Sequence, residues 1–223
     1  MANASRRWAG QTREKRRAER RELLIASAIN QYGSVGFHNT GVRAICREAN
    51  LTERYFYESF ANGEELLLAA FERVVSAMLD QITAADAMDA PADDRVRQLL
   101  RAYFSALAAN PTASRVFLVE IVGVDASIDA AFEVSLFALS EPFVNVYDPF
   151  HRGPLSTHSL LRRAVSGGLL HIALAWGGTG YERPIEQVIE TALVLCRLAI
   201  PVDDDGEYLR FRSTTVRAFA EKQ

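Results

Sequence analysis

Residues 45–60 read ICREANLTERYFYESF, and this stretch decides the fold of the first part of the chain. Two short helices with apolar faces are predicted on either side of Ala49-Asn50-Leu51. A turn of three or four residues between two short helices is the signature of a helix-turn-helix. Such a turn needs one residue at positive φ, and after glycine it is asparagine that reaches this region most readily. Asn50 is therefore predicted to be the turn residue.

The second of these helices has two different sides. Phe56 and Phe60 are four residues apart and are predicted to face inward, whereas Arg54 and Tyr55 point the other way. A short helix with a packed back and an Arg/Tyr front fits the major groove of DNA. The pattern alone leaves open a plain helical hairpin within a bundle.

Length and charge are consistent with a small basic N-terminal domain, called the head, followed by a larger acidic domain, called the body. The chain has 223 residues, of which 49% are hydrophobic, so it can bury a sizeable core. Residues 1–60 hold 11 Lys or Arg against 6 Asp or Glu, whereas the remainder holds 14 against 22. A basic head on an acidic body suggests an anionic partner, and a solvated first helix is the alternative.

The rest of the chain shows helical periodicity and no sustained strand pattern. A first helix is predicted from about Thr12 to Gly33 or Gly36, and short helices are predicted from Thr40 and after Thr52, with these threonines as caps. Asn62 and Glu65 resemble a capping box before a long helix. The fold class is therefore all-α, with about nine helices. The later helices are predicted near 92–109, 112–123, 126–148, 156–177 and 183–200.

The composition excludes several classes of protein. The two cysteines are far apart, and no Cys/His spacing for a metal exists. No signal peptide or membrane span is apparent, which predicts a cytoplasmic protein that does not contact a membrane. No nucleophile with its base, paired carboxylates or metal cluster is visible, so neither enzyme activity nor a cofactor is predicted.

Residues from about 17 to 70 resemble the N-terminal domain of the tetracycline-repressor (TetR) family of bacterial transcription regulators. The matching pieces are LLIASAINQYGSVGF, NTGVRAICREANLTERYFYESF and NGEELLLAAF. The resemblance implies a three-helix DNA-reading head, a larger helical-bundle body for ligand binding and dimerisation, and repression relieved by a small molecule. The predicted divisions are a flexible basic arm (1–16), the helix-turn-helix domain (17–62), the body (63–202) and a C-terminal tail or short helix (203–223).

The resemblance also implies DNA-contacting residues. They are Thr40, Arg43, Thr52, Glu53, Arg54, Tyr55, Tyr57 and Ser59. The chain departs from the family pattern at Asn50, which replaces Gly, at Ser59, which replaces a ring, and at Gly63, which replaces a phosphate-binding Lys. Glu53 places a carboxylate at the groove face, where it can accept a hydrogen bond from a cytosine amino group, repel a wrong base, or only cap the helix.

The body contains two further sets of candidates. Possible ligand-binding residues are Phe104, Phe117, Glu120, Ile121 and Phe137, with ordinary core packing as the alternative. The last two long helices are apolar nearly all round and resemble the family's dimer interface, with burial inside the monomer as the alternative. The candidate interface residues are Leu169, Ile172, Ala173, Ile189 and Leu193.

The sequence therefore predicts a dimeric, sequence-specific regulator of transcription. Its expected partners are a palindromic double-stranded operator, a second copy of the chain, and an apolar or amphipathic small-molecule effector that releases a repressor from DNA. Two other functions stay open, namely a DNA-binding protein without an effector and, less favoured by the residues, an all-α enzyme.

Overall fold

The computed structural model describes the backbone of residues 2–198 and the side chains of residues 12–197. Within these limits the regular structure is helical and contains no strand, which confirms the all-α prediction. The helices are α1 (Ala2–Val35), α2 (Val42–Glu48), α3 (Glu53–Tyr57), α4 (Gly63–Ala84), α5 (Ala92–Ala109), α6 (Pro111–Arg115), α7 (Ala126–Tyr147), α8 (Pro154–Thr157), α9 (Ser159–Gly178) and α10 (Ile185–Leu198). The predicted tail, 203–223, lies outside the described residues. None of the described helices is both long and apolar enough to cross a membrane.

The chain divides into two compact units, of which the first contains residues up to Ala77 together with Asn110–Phe132. In this unit α1 packs against α2, α3 and α6. The ring of Phe71 stacks on Phe117, with the ring centroids 6.0 Å apart, and lies at the same centroid distance from Phe132. These rings form the aromatic part of the first unit's core.

A glycine permits the close contact between α1 and α6. A Cβ atom at position 33 would lie 2.1 Å from the carbonyl oxygen of Thr112, so a side chain larger than hydrogen does not fit. Helix α1 continues beyond Gly33 and ends at Val35, because Gly36 adopts φ 100°, which a helix cannot contain. Of the two glycines predicted to end the helix, Gly36 is the one that does so.

The second unit contains Met78–Ala109 and the chain from Glu133 onward. Helices α5, α9 and α10 pack on one another, and α8 packs on α9. The rings of Phe104 and Trp176 meet edge to face, with centroids 5.8 Å apart. The ion pairs Arg97–Glu190 and Arg101–Glu186 join α5 to α10 at the surface. An exposed ion pair contributes about 0–1 kcal/mol, so burial of the apolar faces is what stabilises this unit.

Several helix boundaries differ from the predicted ones. Helix α1 begins at Ala2, so the structure places most of the predicted arm (1–16) in helical backbone. Helix α2 begins at Val42 with Gly41 as its N-cap, because the Thr40 hydroxyl donates to the carbonyl of Gly36 at 2.7 Å instead of capping. Thr52 occupies the N-cap position of α3, but its side chain makes no capping hydrogen bond.

Two predicted helices are also subdivided. The helix expected at 112–123 is α6 followed by a π-helical turn, Val116–Glu120. The helix expected at 156–177 is α8 and α9, which are separated at His158 where the backbone is extended. Apolar periodicity does not reveal the first interruption, because the buried positions continue across it; at the second, residues 157–160 are exposed.

Candidate nucleic-acid interface

The turn between α2 and α3 has the predicted conformation. Asn50 adopts φ 53°, in the left-handed region that Asn tolerates better than most residues. The next backbone N–H, that of Leu51, donates to the carbonyl of Cys46 at 2.8 Å and closes the turn. The two helices are therefore set at a fixed angle by a single residue at positive φ.

The buried side of α3 anchors this helix to the rest of the first unit. Phe56 and Phe60 are fully buried, and their ring centroids are 5.9 Å apart. Burying such a side chain stabilises a fold by about 1.5–3 kcal/mol. A helix of five residues is too short to form in isolation. The predicted inward face of α3 is thus confirmed, and it carries the stability of the helix.

Arginines of α1 cover the same helix from one side. The Arg20 guanidinium lies 4.3 Å from the centroid of the Tyr55 ring, and that of Arg21 lies 5.0 Å from the ring of Phe60. Arg20 also pairs with Glu58 at 3.7 Å, and Arg17 donates to the Glu58 carbonyl. The basic run of α1 is therefore more than a solvated face. Part of it packs on α3.

The opposite side of the helix pair presents two exposed arginines. The side chains of Arg43 and Arg54 are 89% and 83% exposed. Each is held through its Nε atom, which donates at 3.0 Å to a carboxylate, that of Glu53 for Arg43 and that of Glu58 for Arg54. Glu53 therefore joins α3 to α2. Burial and, after it, the charge of Glu53 raise the pKa of the Cys46 thiol, which keeps this thiol protonated near neutral pH.

The remaining predicted contact residues surround this pair. Thr52 is exposed at the start of α3, Tyr57 is 61% exposed, and Ser59 is half-buried just beyond the helix. Thr40 is half-buried, with its hydroxyl bound to the backbone. One basic residue was missed, since Arg47 is exposed on α2 one turn after Arg43. The i, i+4 spacing of these two arginines is the signal that identifies it.

The start of α4 is capped as predicted. The side-chain oxygen of Asn62 accepts from the N–H of Glu65 at 2.8 Å, and the Glu65 carboxylate accepts from the N–H of Ala61 at 2.6 Å. Gly63 is the first residue of this helix. A Cβ atom added there would meet only the ring of Phe37, at an ordinary contact distance of 3.6 Å. The position therefore has room for a side chain.

Three of the predicted ligand-binding residues lie in the first unit. Phe117 and Ile121 are fully buried. Both carboxylate oxygens of Glu120 are used inside the protein, because one accepts from the N–H of Phe37 at 2.7 Å and the other from Arg115 Nε at 2.8 Å. Glu120 thus holds the segment that leads into α2.

The other two lie in the second unit. Phe104 is fully buried against Trp176, and Phe137 lies under the guanidinium groups of Arg162 and Arg163. A cavity of about 20 Å³ opens beside Arg162, and its ten lining residues include none of the five predicted ones. Its lining consists of Ser140, Phe143, Val144, Tyr147, Leu155, Arg162, Val165, Ser166, Leu169 and Cys196.

Arg162 is the charged residue in the wall of this cavity. Its Nε donates to the Ser140 hydroxyl at 2.9 Å, and its Nη2 donates to the carbonyl of Phe137 at 2.6 Å and to the Glu141 carboxylate. The rest of the lining is mostly apolar, and burial raises the pKa of Cys196 to about 12. The site therefore combines an apolar interior with one fixed cation.

The predicted dimer residues are for the most part already covered within the same chain. Four of the five are buried in the second unit, and the fifth is half-buried; in sequence order they are Leu169, Ile172, Ala173, Ile189 and Leu193. A partner would contact α9 and α10 by their other faces. The sequence pattern did not distinguish these faces, because both helices are apolar nearly all round.

A helix-turn-helix with a buried back and a basic front, followed by an all-helical body, defines a DNA-binding transcriptional regulator. Residues 24–70 match the family model described as bacterial regulatory proteins, tetR family. The match confirms the predicted TetR-type DNA-binding domain over these residues, and the fold of the chain is that of TetR-family regulators. The family and the fold are those of transcription regulators, which are typically not enzymes.

Solved structures with this fold include several regulators. The fatty acid degradation regulator FadR from Bacillus halodurans is 17% identical, with a TM-score of 0.66, and the match covers 79% of this chain and 94% of that one. FadR from Bacillus subtilis in complex with stearoyl-CoA is 16% identical, with a TM-score of 0.64 and coverage of 81% and 99%. A TetR-family regulator from Syntrophomonas wolfei is 21% identical, with a TM-score of 0.63 and coverage of 84% and 98%. A comparison with curated proteins finds no match.

The absence of the family's lysine at position 63 gives a prediction. In Gly63→Lys, the new ammonium group is expected to reach a DNA phosphate and to tighten binding to all sequences alike. The plot of log affinity against log salt concentration should steepen by about 0.9 for each head. Fluorescence anisotropy across a salt series measures this slope. Gly63→Ala is the control, and equal slopes for the two variants would contradict the predicted contact.

Proposed function

We propose that this chain is a homodimeric repressor that binds a palindromic operator and is released from it by a small-molecule effector. The observation that carries the proposal is the exposed side of α2 and α3, where Arg43 and Arg54 stand in front of a buried aromatic back. Guanidinium groups bind guanine edges in the major groove, and a helix of this kind fits that groove. Action on DNA is consistent with a cytoplasmic protein that works by binding and not by catalysis.

The contact residues follow from the same surface. Arg43, Arg54 and Glu53 are proposed to face the bases, and the hydroxyl groups of Thr52, Tyr55, Tyr57 and Ser59 are proposed to contact the phosphates. Thr40, whose hydroxyl donates to the Gly36 carbonyl, is proposed to lie beside them. Phosphate contacts set the register of a protein on DNA, whereas base contacts give selectivity. The basic residues of α1 that do not pack on α3, among them the exposed Arg13 and Arg16, add salt-dependent attraction.

Two copies are proposed to meet through α9 and α10. A stripe along α9 at spacings of three and four residues carries small or apolar side chains and one histidine, namely Leu160, Ala164, Gly167, His171 and Ala175. Leu160 is 79% exposed, and Val194 on α10 is 53% exposed. Small residues let two helices approach closely, and exposed apolar area of this kind favours association. An isologous contact of these helices gives the two-fold axis that a palindromic operator requires.

The effector is proposed to be an amphipathic molecule with an apolar chain and an anionic end. The cavity beside Arg162 supports this class, because its lining is apolar apart from that guanidinium and a few hydroxyl groups. A volume of about 20 Å³ holds about one water molecule, so a larger ligand must widen the cavity. A ligand that binds the widened form shifts the chain toward that form. The stearoyl-CoA complex of the Bacillus subtilis regulator is a precedent for such a ligand on this fold.

Selection from a pool of random duplexes tests the DNA-binding part directly. The wild-type protein is expected to enrich a palindrome whose half-sites lie about 10 base pairs apart, centre to centre, or a multiple of that spacing. Sequencing of the bound fraction gives the motif. A protein that binds DNA equally at all sequences would enrich nothing, and that outcome would reject the proposal of a sequence-specific regulator.

The same selection reports on the dimer. Gly167→Arg is expected to give a folded monomer, because a Cβ atom at this position meets nothing within 4 Å inside the chain, while a large charged side chain would obstruct a partner. Size-exclusion chromatography with light scattering measures the mass, and the variant should lose the palindromic preference. Gln98→Arg, at an exposed position of α5, is the control. A dimeric Gly167→Arg protein would exclude this face as the interface.

Thermal unfolding with a series of acyl-CoA esters tests the effector class. A ligand present at 100 times its Kd stabilises the protein by about 2.7 kcal/mol. For a chain of this size we therefore expect Tm to rise by roughly 5–11 °C and DNA to be released. Arg162→Met should lose most of the shift, whereas Arg163→Met should keep it, because Arg163 contacts the same Phe137 ring but does not line the cavity.

Two results would contradict the effector proposal. No shift with any chain length would reject the amphipathic class. A shift without release of DNA would favour the second candidate function, a DNA-binding protein that no effector controls.

A further inference from the structure

Two of the three exposed arginines of α2 and α3 are bound in the same way. Arg43 and Arg54 each donate from Nε to a glutamate at 3.0 Å, the first across the turn to Glu53 and the second along the helix to Glu58. In the described part of the structure, the two terminal nitrogens of Arg43 have no protein partner. A guanidinium group fixed at Nε keeps its plane, while its terminal N–H groups remain available to a ligand.

The available terminal nitrogens match a particular base edge. Guanine presents O6 and N7 in the major groove, and two N–H groups of one arginine can bind them together. A side chain that is already oriented loses less rotamer freedom when it binds than a mobile one does. The Arg43–Glu53 pair therefore orients Arg43 for guanine binding in the DNA-free protein.

Folding stability does not account for the Arg43–Glu53 pair. An ion pair as exposed as this one contributes little to stability. Its carboxylate also lies on a surface that must approach phosphates, where a negative charge weakens attraction to DNA of any sequence. Where a guanine is present, the two hydrogen bonds from Arg43 offset the weakened attraction to DNA. At any other base, the weakened attraction is not offset. A repulsive group that acts mainly against the wrong partner increases selectivity.

The two glutamates differ in what else they hold. Glu58 also pairs with Arg20 of α1, and its carbonyl accepts from Arg17, so it helps to pack α1 on α3. Among the side chains that the structure describes, Glu53 makes its hydrogen bond to Arg43 alone. Replacing Glu53 therefore leaves the packing of α3 unchanged, and this makes it the residue to test.

We propose that Glu53 is a positioning and selectivity residue, which orients Arg43 toward a guanine in each half-site and disfavours DNA that lacks it. The inference rests on the proposed function, because it assumes that this surface enters the major groove. It replaces two sequence-based alternatives for Glu53, namely direct contact with a cytosine and capping of α3. The Arg43 contact is with guanine, and the glutamate acts through the arginine.

The test is selection from random duplexes with the wild type, Arg43→Ala, Glu53→Ala, Glu53→Gln and the double variant. Arg43→Ala and Glu53→Ala should both lose preference for the same guanine, and the double variant should lose no more. The ratio of affinities for the selected site and a scrambled one should fall by about 5- to 150-fold in each. Glu53→Gln keeps an acceptor for Arg43 Nε but removes the charge, so it should keep the guanine preference and bind scrambled DNA more tightly.

Glu72→Gln, an exposed position of α4, is the control for loss of one negative charge. Two results with Glu53→Ala would overturn the inference. One is a selected motif with the wild-type base preference at every position, and the other is loss of preference at a position that Arg43→Ala does not affect. A Glu53→Ala protein that fails to fold leaves Glu53→Gln to decide, and equal binding of scrambled DNA by Glu53→Gln and the wild type would overturn it. If the wild type selects no motif, the proposed function itself fails, which is a different result from a normal wild-type motif with unaffected variants.

Discussion

The burial of Phe56 is the interaction on which the DNA-reading surface depends. Helix α3 has five residues, and a helix of that length has too few internal hydrogen bonds to offset the cost of its first turn. Its conformation is therefore set by tertiary packing. Phe56 and Phe60 anchor its buried side, and Asn50, at positive φ, fixes the turn that precedes it. The arginines of α1 close the remaining side. The backbone beneath the outward-facing surface is consequently fixed by the packed core of the first unit.

This rigidity has a consequence for charge. On a mobile surface, arginines would sample many rotamers and bind any phosphate within reach. Here two of the three exposed arginines of α2 and α3, Arg43 and Arg54, are paired with glutamates, so part of the positive charge is already compensated. We propose that attraction to DNA in general comes mainly from the basic residues of α1, and that discrimination among sequences comes from α2 and α3. Rigid packing and paired charge together separate the two tasks.

Much of this arrangement is predictable from local sequence. The turn at Asn50, the buried rings of α3, the cap of α4 and the bounds of α5 each follow from a few neighbouring residues. The packing of Arg20 on Tyr55 and the use of Glu120 by the N–H of Phe37 do not, because each joins residues far apart in the chain. The same holds for α9 and α10. An all-apolar pattern shows that these helices are buried but not which side is covered by the chain itself.

The central claim is that α3 enters the major groove and that arginines read guanine there. Methylation interference on the selected operator measures this most directly, because a methyl group at guanine N7 occupies the atom that the arginine must contact. Methylation at one or two guanines in each half-site is expected to abolish binding, at positions related by the two-fold axis. Interference confined to adenine N3 in the minor groove, or none at any guanine, would contradict it.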